Sequence, residues 1–155
     1  MLLVLIFSLH AQFEVVASYN HDNGYEPFSY GLRYEHEFKW INLEASGDRV
    51  DKTIWGEATI YSGQLRFKIG RFLIGARGDY MQYDFGHEVK SWQPAIGVKW
   101  SEGSVGLELG DSTYYKTARI WGRWDLGRWG LKLWVSKPQD YDSVGAGVDL
   151  SFIVL

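Results

Sequence analysis

Apolar and polar residues alternate with a period of two along most of this chain. The clearest stretch lies between Trp92 and Trp100, where the even-numbered residues are apolar and the odd-numbered residues are small or polar. Successive side chains of a β-strand point to opposite faces, so this period predicts strands with one apolar and one polar face. We therefore predict an all-β fold.

Eleven stretches show the pattern, with Gly, Asn, Asp or Pro between most of them, as turns require. They predict strands near residues 13–20, 28–38, 41–50, 53–61, 64–69, 72–83, 89–100, 104–110, 115–124, 128–136 and 143–154. The apolar residues change parity at Ser62-Gly63 and at Leu126-Gly127. A two-residue hairpin changes parity in this way, so both pairs are predicted to be tight turns.

The apolar face has two possible surroundings: it forms the interior of a soluble sandwich or barrel, or it faces lipid around a transmembrane barrel. Aromatic residues at both ends of apolar strands favour lipid, because Tyr and Trp collect at membrane interfaces. These residues are Tyr30, Phe38, Phe72, Tyr80, Trp92 and Trp100. Each apolar span is about nine residues long, which matches a tilted transmembrane strand.

The last segment, residues 143–152, combines a polar residue, glycines and alternating apolar residues, and it ends in the aromatic Phe152. It resembles the C-terminal strand of bacterial outer-membrane β-barrel proteins. The resemblance implies an antiparallel up-and-down transmembrane barrel in the bacterial outer membrane, with lipid and the outer-membrane assembly machinery as partners. Such barrels usually have an even strand count. We expect about ten strands, with eight or twelve as alternatives, and segments 64–69 and 104–110 are the first candidates for error.

The first eleven residues differ from the rest of the chain. Leu2 to Phe7 are apolar on both faces, and the small Ala11 follows shortly after. This pattern predicts a signal peptide, or its remnant, over residues 1–11 and one barrel domain over 12–155. A buried first strand is the alternative.

Composition excludes several kinds of function. The chain has no cysteine, which excludes disulfides, thiol nucleophiles and cysteine-bound zinc. Its net charge of −3 does not indicate a nucleic-acid partner. No phosphate-binding loop or nucleophile elbow is present, and we expect no cofactor.

Hairpin register places polar side chains opposite one another. A turn at Lys39-Trp40 pairs Glu37 with Asn42, Glu35 with Glu44 and Arg33 with Ser46. A turn at Ser62-Gly63 pairs Glu57 with Lys68 and Thr59 with Arg66. A turn at Leu126-Gly127 pairs Trp121 with Lys132 and Arg119 with Trp134, two candidate cation–π contacts.

The polar face is thereby divided into two walls that would meet across a narrow lumen. The acidic wall is Glu35, Glu37, Glu44, Asp48 and Glu57. The basic wall is Arg66, Lys68, Arg77, Lys99, Arg119, Arg123 and Lys132. The walls form either a packed ionic core or a narrow channel for small polar solutes. Small barrels usually fill their interior with side chains, which favours the packed core.

Histidines carry the remaining candidate chemistry. His36 is expected at the membrane interface among aromatic residues, and no serine stands two residues away on its face. His21 and His87, each near an aspartate, are weak metal candidates; such pairs are usually solvated turn residues, so we predict no metal site. We predict no catalytic residues. The expected function is structural or passive permeation; the alternatives are a secreted soluble β-protein that binds a small apolar ligand and an outer-membrane lipid-modifying enzyme.

Overall fold

A computed structural model describes residues 11–21, 27–53, 56–112, 116–138 and 144–154. These residues form ten strands. Their bounds are β1 Ala11–His21, β2 Phe28–Glu37, β3 Ile41–Thr53, β4 Gly56–Ile69, β5 Phe72–Tyr83, β6 Glu88–Trp100, β7 Gly103–Ser112, β8 Lys116–Leu126, β9 Trp129–Pro138 and β10 Gly145–Ile153. The described residues contain no helix long and apolar enough to cross a bilayer.

Each strand pairs with its sequence neighbours in antiparallel fashion, and β1 also pairs with β10, so that the sheet closes into a barrel. The closing seam places Val15 opposite Phe152 and Ala17 opposite Leu150. Closure removes both free edges of the sheet. The predicted fold class, an antiparallel up-and-down barrel of about ten strands, is confirmed.

The apolar side chains face outward. Leu32, Ile74 and Ile96 are 65%, 49% and 57% exposed, whereas their strand neighbours Arg33 and Ala95 are buried. Strand alternation produces this division, because one parity points into the barrel and the other away from it. The alternative of a soluble barrel with an apolar ligand-binding interior is therefore wrong.

The two ends of the barrel differ. The turn end carries the connections 38–40, 70–71, 101–102 and 127–128, and the loop end carries the connections that follow β1, β3, β5, β7 and β9. Two tight turns place a glycine at positive φ, Gly70 at 63° and Gly127 at 71°, where other residues are strained. At the loop end, residues 22–26, 54–55, 113–115 and 139–143 lie outside the described part of the chain.

The predicted turn at Ser62-Gly63 is wrong, because β4 runs straight through it. Gly63 lies opposite Ala45 of β3 and Gly78 of β5. The apolar residues change parity because Ala58 and Ile60, near the loop end, face an apolar part of the interior. The predicted segments 53–61 and 64–69 are thus one strand, which accounts for ten strands in place of eleven.

The register predictions have mixed outcomes. Around Lys39-Trp40 the pairing is as predicted, with Glu35 opposite Glu44. Glu57–Lys68 and Thr59–Arg66 are wrong, since each pair lies within one strand. Between β8 and β9 the hairpin turns at Gly127-Arg128, so the register differs by two and Trp121 lies opposite Trp134.

Residues 1–10, nearly all of the predicted signal peptide, lie outside the described residues. Ala11 already belongs to β1, where it pairs with His36. The signal peptide stays a prediction.

Candidate functional site

The barrel interior is lined with charged side chains. Four residues of the predicted acidic wall and all seven of the predicted basic wall lie in it. They are Glu35, Glu37, Glu44 and Asp48, and Arg66, Lys68, Arg77, Lys99, Arg119, Arg123 and Lys132. It also contains five charged residues that were assigned to neither wall: Glu14, Arg33, Asp79, Glu108 and Asp149. The interior is therefore a mixed network of charges rather than two segregated walls.

Glu14 of β1 lies at the centre of the turn-end half of this network, and its side chain is almost fully buried. Its carboxylate accepts hydrogen bonds from Arg33 Nη1 at 3.3 Å and from Arg123 Nη2 at 2.6 Å. A buried carboxylate requires such partners, because removal from water is costly for an unpaired charge. Glu14 joins β1 both to its neighbour β2 and to the distant β8.

Glu44 is held between two arginines. Its carboxylate lies 3.3 Å from Arg33 Nε and 3.1 Å from Arg66 Nη2. Arg66 Nη2 also donates to Asn42 Oδ1 at 2.8 Å, and Asn42 Nδ2 donates to Glu35 at 2.6 Å. The opposed carboxylates of Glu35 and Glu44 therefore have separate polar partners, which offset the repulsion between them.

Several ion pairs cross the interior between strands that are not neighbours. Arg123 Nη1 of β8 donates to Glu35 of β2 at 3.3 Å. Lys99 Nζ of β6 donates to Glu37 of β2 at 2.7 Å, and Lys68 of β4 donates to the other oxygen of Glu37. These pairs connect opposite sides of the closed barrel, so acidic side chains of β2 meet basic side chains of β6 and β8 across the interior.

Trp121 forms a layer above the charged turn-end half. Lys132 Nζ lies 5.4 Å from the centre of its ring and the Arg66 guanidinium 5.9 Å from it, within cation–π range. A Cβ at Gly106 would lie 2.5 Å from Trp121 Cζ2, so only glycine leaves room for the indole against the wall. Since Arg66 belongs to β4 and Trp121 to β8, the layer extends from one side of the barrel to the other.

Trp134, which lies opposite Trp121 on the neighbouring strand, makes a second cation–π contact. The Arg119 guanidinium is 4.8 Å from the ring centre of Trp134, and the Trp134 indole lies against Gly147. The predicted contacts Trp121–Lys132 and Arg119–Trp134 are both present, although each joins diagonal rather than directly opposed residues. Long side chains reach such diagonal partners. The two contacts are therefore present even though the predicted register of β8 and β9 was wrong by two residues.

A cavity of 240 Å³ occupies the turn-end half of the interior. Near the mouth it is lined by residues of the turn end, among them Ser101, Asp125 and Gly127. Its deep end is formed by Gln64, Glu108, Trp121 and Lys132. The cavity therefore extends from the turn end to Trp121.

The loop-end half of the interior is partly apolar. Ala58, Tyr83 and Val89 are buried there in one cluster, with Met81 packed against it. Between this cluster and the Trp121 layer, Arg77 Nε donates to Asp79 at 2.7 Å. The interior therefore changes from ionic to apolar from the turn end to the loop end.

Glu57 does not belong to the lumen, which corrects its assignment to the acidic wall. Its side chain is 56% exposed and lies 2.5 Å from Arg49 Nη2 at the outer rim of the loop end. Arg49 also donates to Asp84, and this hydrogen bond lowers the pKa of the Asp84 carboxyl below its ordinary value. The assignment was wrong because it relied on the incorrect Ser62-Gly63 turn.

The aromatic residues proposed as interface anchors lie toward the two ends of the barrel wall. Phe38, Phe72 and Trp100 lie at the turn end. Tyr30, Tyr80 and Trp92 lie toward the loop end of strands β2, β5 and β6. Tyr30, Phe72 and Trp92 are each more than half exposed, so their rings are open to the surroundings of the barrel.

The histidines have aromatic neighbours. Tyr34 Oη lies 2.9 Å from His36 Nδ1, and the Phe38 ring packs 4.2 Å from the imidazole. These are not the serine and carboxylate partners of a hydrolase triad. His87 stacks on Phe85 in the β5–β6 turn, and among the described residues no group of three potential ligands could hold a metal ion near it or near His21.

Parity along the strands could have identified some of the missed charged residues. Glu14 is the polar residue between Phe13 and Val15, and Asp149 occupies the equivalent place between Val148 and Leu150. Alternation therefore assigns both to the polar face. It does not identify their partners, which lie on other strands.

Neither a protein-family model nor a curated protein sequence matches this chain. Among solved structures, it is similar to the KdgM porin in complex with disordered oligogalacturonate, with 11% sequence identity and a TM-score of 0.55. That alignment covers 90% of this chain and 98% of the KdgM chain.

Two larger barrels match with lower scores. A mutant of the Rh. blastica porin is 14% identical, with a TM-score of 0.36, over 81% of this chain and 55% of its own. A loop-deletion mutant of OmpT, an outer membrane protein of Vibrio cholerae, is 8% identical, with a TM-score of 0.41. That alignment covers 92% of this chain and 62% of the OmpT chain. The similarity to KdgM over nearly all of both chains shows that the two proteins share a fold, the closed antiparallel β-barrel.

Proposed function

We propose that this protein is an integral β-barrel of the bacterial outer membrane that allows passive permeation of small polar solutes. The observation that carries the proposal is the direction of its side chains: apolar residues cover the outside of a closed barrel, and charged residues line the inside. A bilayer accepts such a barrel because every strand is paired and the outer surface is apolar. The KdgM likeness supports the same role at the level of fold.

Orientation follows from the connections. Outer-membrane barrels place short turns in the periplasm and longer loops outside the cell, so the turn end would face the periplasm. The aromatic residues Phe38, Phe72 and Trp100 would then lie at the inner interface, and Tyr30, Tyr80 and Trp92 at the outer one. Lipid and the outer-membrane assembly machinery are the partners in this proposal.

The Trp121 layer is the proposed barrier to permeation. The turn-end cavity reaches this layer, where the indole lies between Lys132 and Arg66 from opposite sides of the barrel. Only small solutes would pass such a layer, and its side chains would have to move aside. A barrel in which they never move would have a purely structural role.

The test has three stages. Cell fractionation and a comparison of boiled with unboiled samples on a gel should place the protein in the outer membrane with a heat-dependent mobility. Planar-bilayer recordings should then show small conductance steps, and Trp121→Ala should enlarge them several-fold. Trp92→Ala, on the outer face of β6, is the matched control and should leave conductance unchanged.

Two results would contradict the proposal. A soluble protein without a mobility shift would contradict the membrane location. An inserted barrel that conducts neither as wild type nor as Trp121→Ala would contradict permeation and leave a structural role.

A further inference from the structure

The deep end of the turn-end cavity contains polar groups that have no hydrogen-bond partner within the described part of the chain, although Arg119 Nη1 lies 3.9 Å from Glu108 Oε2. Gln64 Nε2, Trp121 Nε1 and Glu108 Oε2 are buried without a hydrogen bond. Lys132 contacts the Trp121 ring, but no described carboxylate lies within ion-pair distance of its ammonium group. All four residues line the same cavity.

These groups contrast with the other charges around the cavity. Glu35, Glu37 and Glu44 each have one or two cationic partners, as described above. Buried donors and acceptors without a hydrogen bond are costly, and charged ones are the most costly. The deep end therefore favours a bound species that supplies both an acceptor, for Lys132 and its neighbours, and a donor, for Glu108.

We propose that this cavity is a binding site for a small zwitterion of the size of a free amino acid. Its carboxylate would accept hydrogen bonds from Lys132 Nζ, Gln64 Nε2 and Trp121 Nε1, and its ammonium group would donate to Glu108 Oε2. The inference deepens the proposed function, because a solute bound below the Trp121 layer would be a candidate permeant.

Size and charge both favour this class of solute. A cavity of 240 Å³ is smaller than the roughly 300–1,000 Å³ of sites for drug-sized ligands. A simple carboxylate would leave Glu108 without a donor, and a simple amine would leave Lys132 without an acceptor. A zwitterion supplies a carboxylate to Lys132 and an ammonium group to Glu108, and it adds no net charge to the interior.

Calorimetric titration of the purified barrel in detergent tests the site. L-alanine should bind saturably, whereas acetate and ethylammonium should bind at least tenfold more weakly. Lys132→Met and Glu108→Gln should each weaken alanine binding at least tenfold. Lys137→Met, on the outer face of the same strand, should bind alanine as the wild type does.

Selectivity of the wild-type barrel decides the proposal even where a variant does not fold. Equal binding of acetate and L-alanine would overturn it in favour of an anion site, and no saturable binding of any probe would show that the cavity holds only water. Binding in detergent does not depend on conduction. A non-conducting barrel that binds alanine refutes permeation alone, and a conducting barrel that does not bind it refutes this site alone.

Discussion

The two halves of the barrel interior have different chemistry inside the same wall. At the turn end, Glu14 and Glu44 are fixed by arginines around a water-accessible cavity. At the loop end, Ala58 and Val89 belong to a small apolar cluster. The outer face is apolar along both halves, because all of it meets the same environment. The interior side chains need only suit their immediate neighbours, so the interior can be ionic in one half and apolar in the other.

The largest effect should come from removing the central charge of the turn-end half. Glu14→Gln removes the carboxylate that Arg33 and Arg123 share, although each arginine keeps another carboxylate partner. We therefore expect a loss of about 3 kcal/mol, the lower end of the range for a broken buried ion pair. Urea unfolding in lipid vesicles, followed by tryptophan fluorescence, measures the loss. Glu102→Gln, in an exposed turn, is the control, and an equal loss in both variants would contradict the importance of the buried network.

A smaller loss is expected from the opposed carboxylates. If Glu35 and Glu44 mainly repelled each other, the double substitution to Gln would not destabilise the barrel. Because each holds an arginine, we expect a loss of about 2–3 kcal/mol, the scale of hydrogen bonds to charged groups. The two single variants complete a double-mutant cycle on the same unfolding assay. Unchanged or increased stability in the double variant would show that repulsion dominates.

The loop-end half should respond to volume rather than to charge. Ala58 is fully buried, so Ala58→Leu should overpack the cluster and cost about 1–2 kcal/mol. Ala45→Leu adds the same volume on the exposed outer face and should be neutral in the same unfolding assay. A neutral result for both would mean that the cluster is loosely packed.

The smallest effect concerns pH at the loop-end rim. Arg49 lowers the pKa of Asp84 below its ordinary value of 3.8. Because the folded-state pKa is the lower one, the pair contributes fully above about pH 4 and is lost as the pH falls through that pKa. NMR titration of the Asp84 carboxyl should give a higher pKa in Arg49→Gln than in the wild type. Identical values would show that the ion pair does not persist in solution.

The outer face was predictable because lipid or water imposes a single rule on every strand. Alternation placed Trp92 and Ile96 on one face and Gln93 on the other, and the aromatic residues at the strand ends then favoured lipid for the apolar face. The Lys39-Trp40 hairpin was predictable for the same reason, since its flanking strands keep a constant pattern.

Two underlying predictions were wrong, the turn at Ser62-Gly63 and the register of β8 with β9. In the first, apolar side chains in the interior produced the sequence pattern of a turn; in the second, the register depended on the position of a turn to within one residue. The apolar lining at Ala58 and Ile60 reverses the pattern of β4, and Ser62-Gly63 happens to have turn composition. In the β8–β9 hairpin, a turn at Gly127-Arg128 rather than at Leu126-Gly127 shifts every pair by two. Partners across the interior, such as Glu14 and Arg123, depend on closure and curvature, which local sequence patterns do not encode.

Ion pairs that cross the interior also bear on how the barrel assembles. Glu14 and Arg123 are 109 residues apart, and Glu37 and Lys99 are 62 apart. Each of these pairs joins strands that are not neighbours, so it forms only when the sheet curls and brings the two strands face to face. Removing one hairpin would still leave an even number of strands, but it would bring different charges face to face. The full set of cross-interior ion pairs therefore belongs to the closed ten-strand barrel alone.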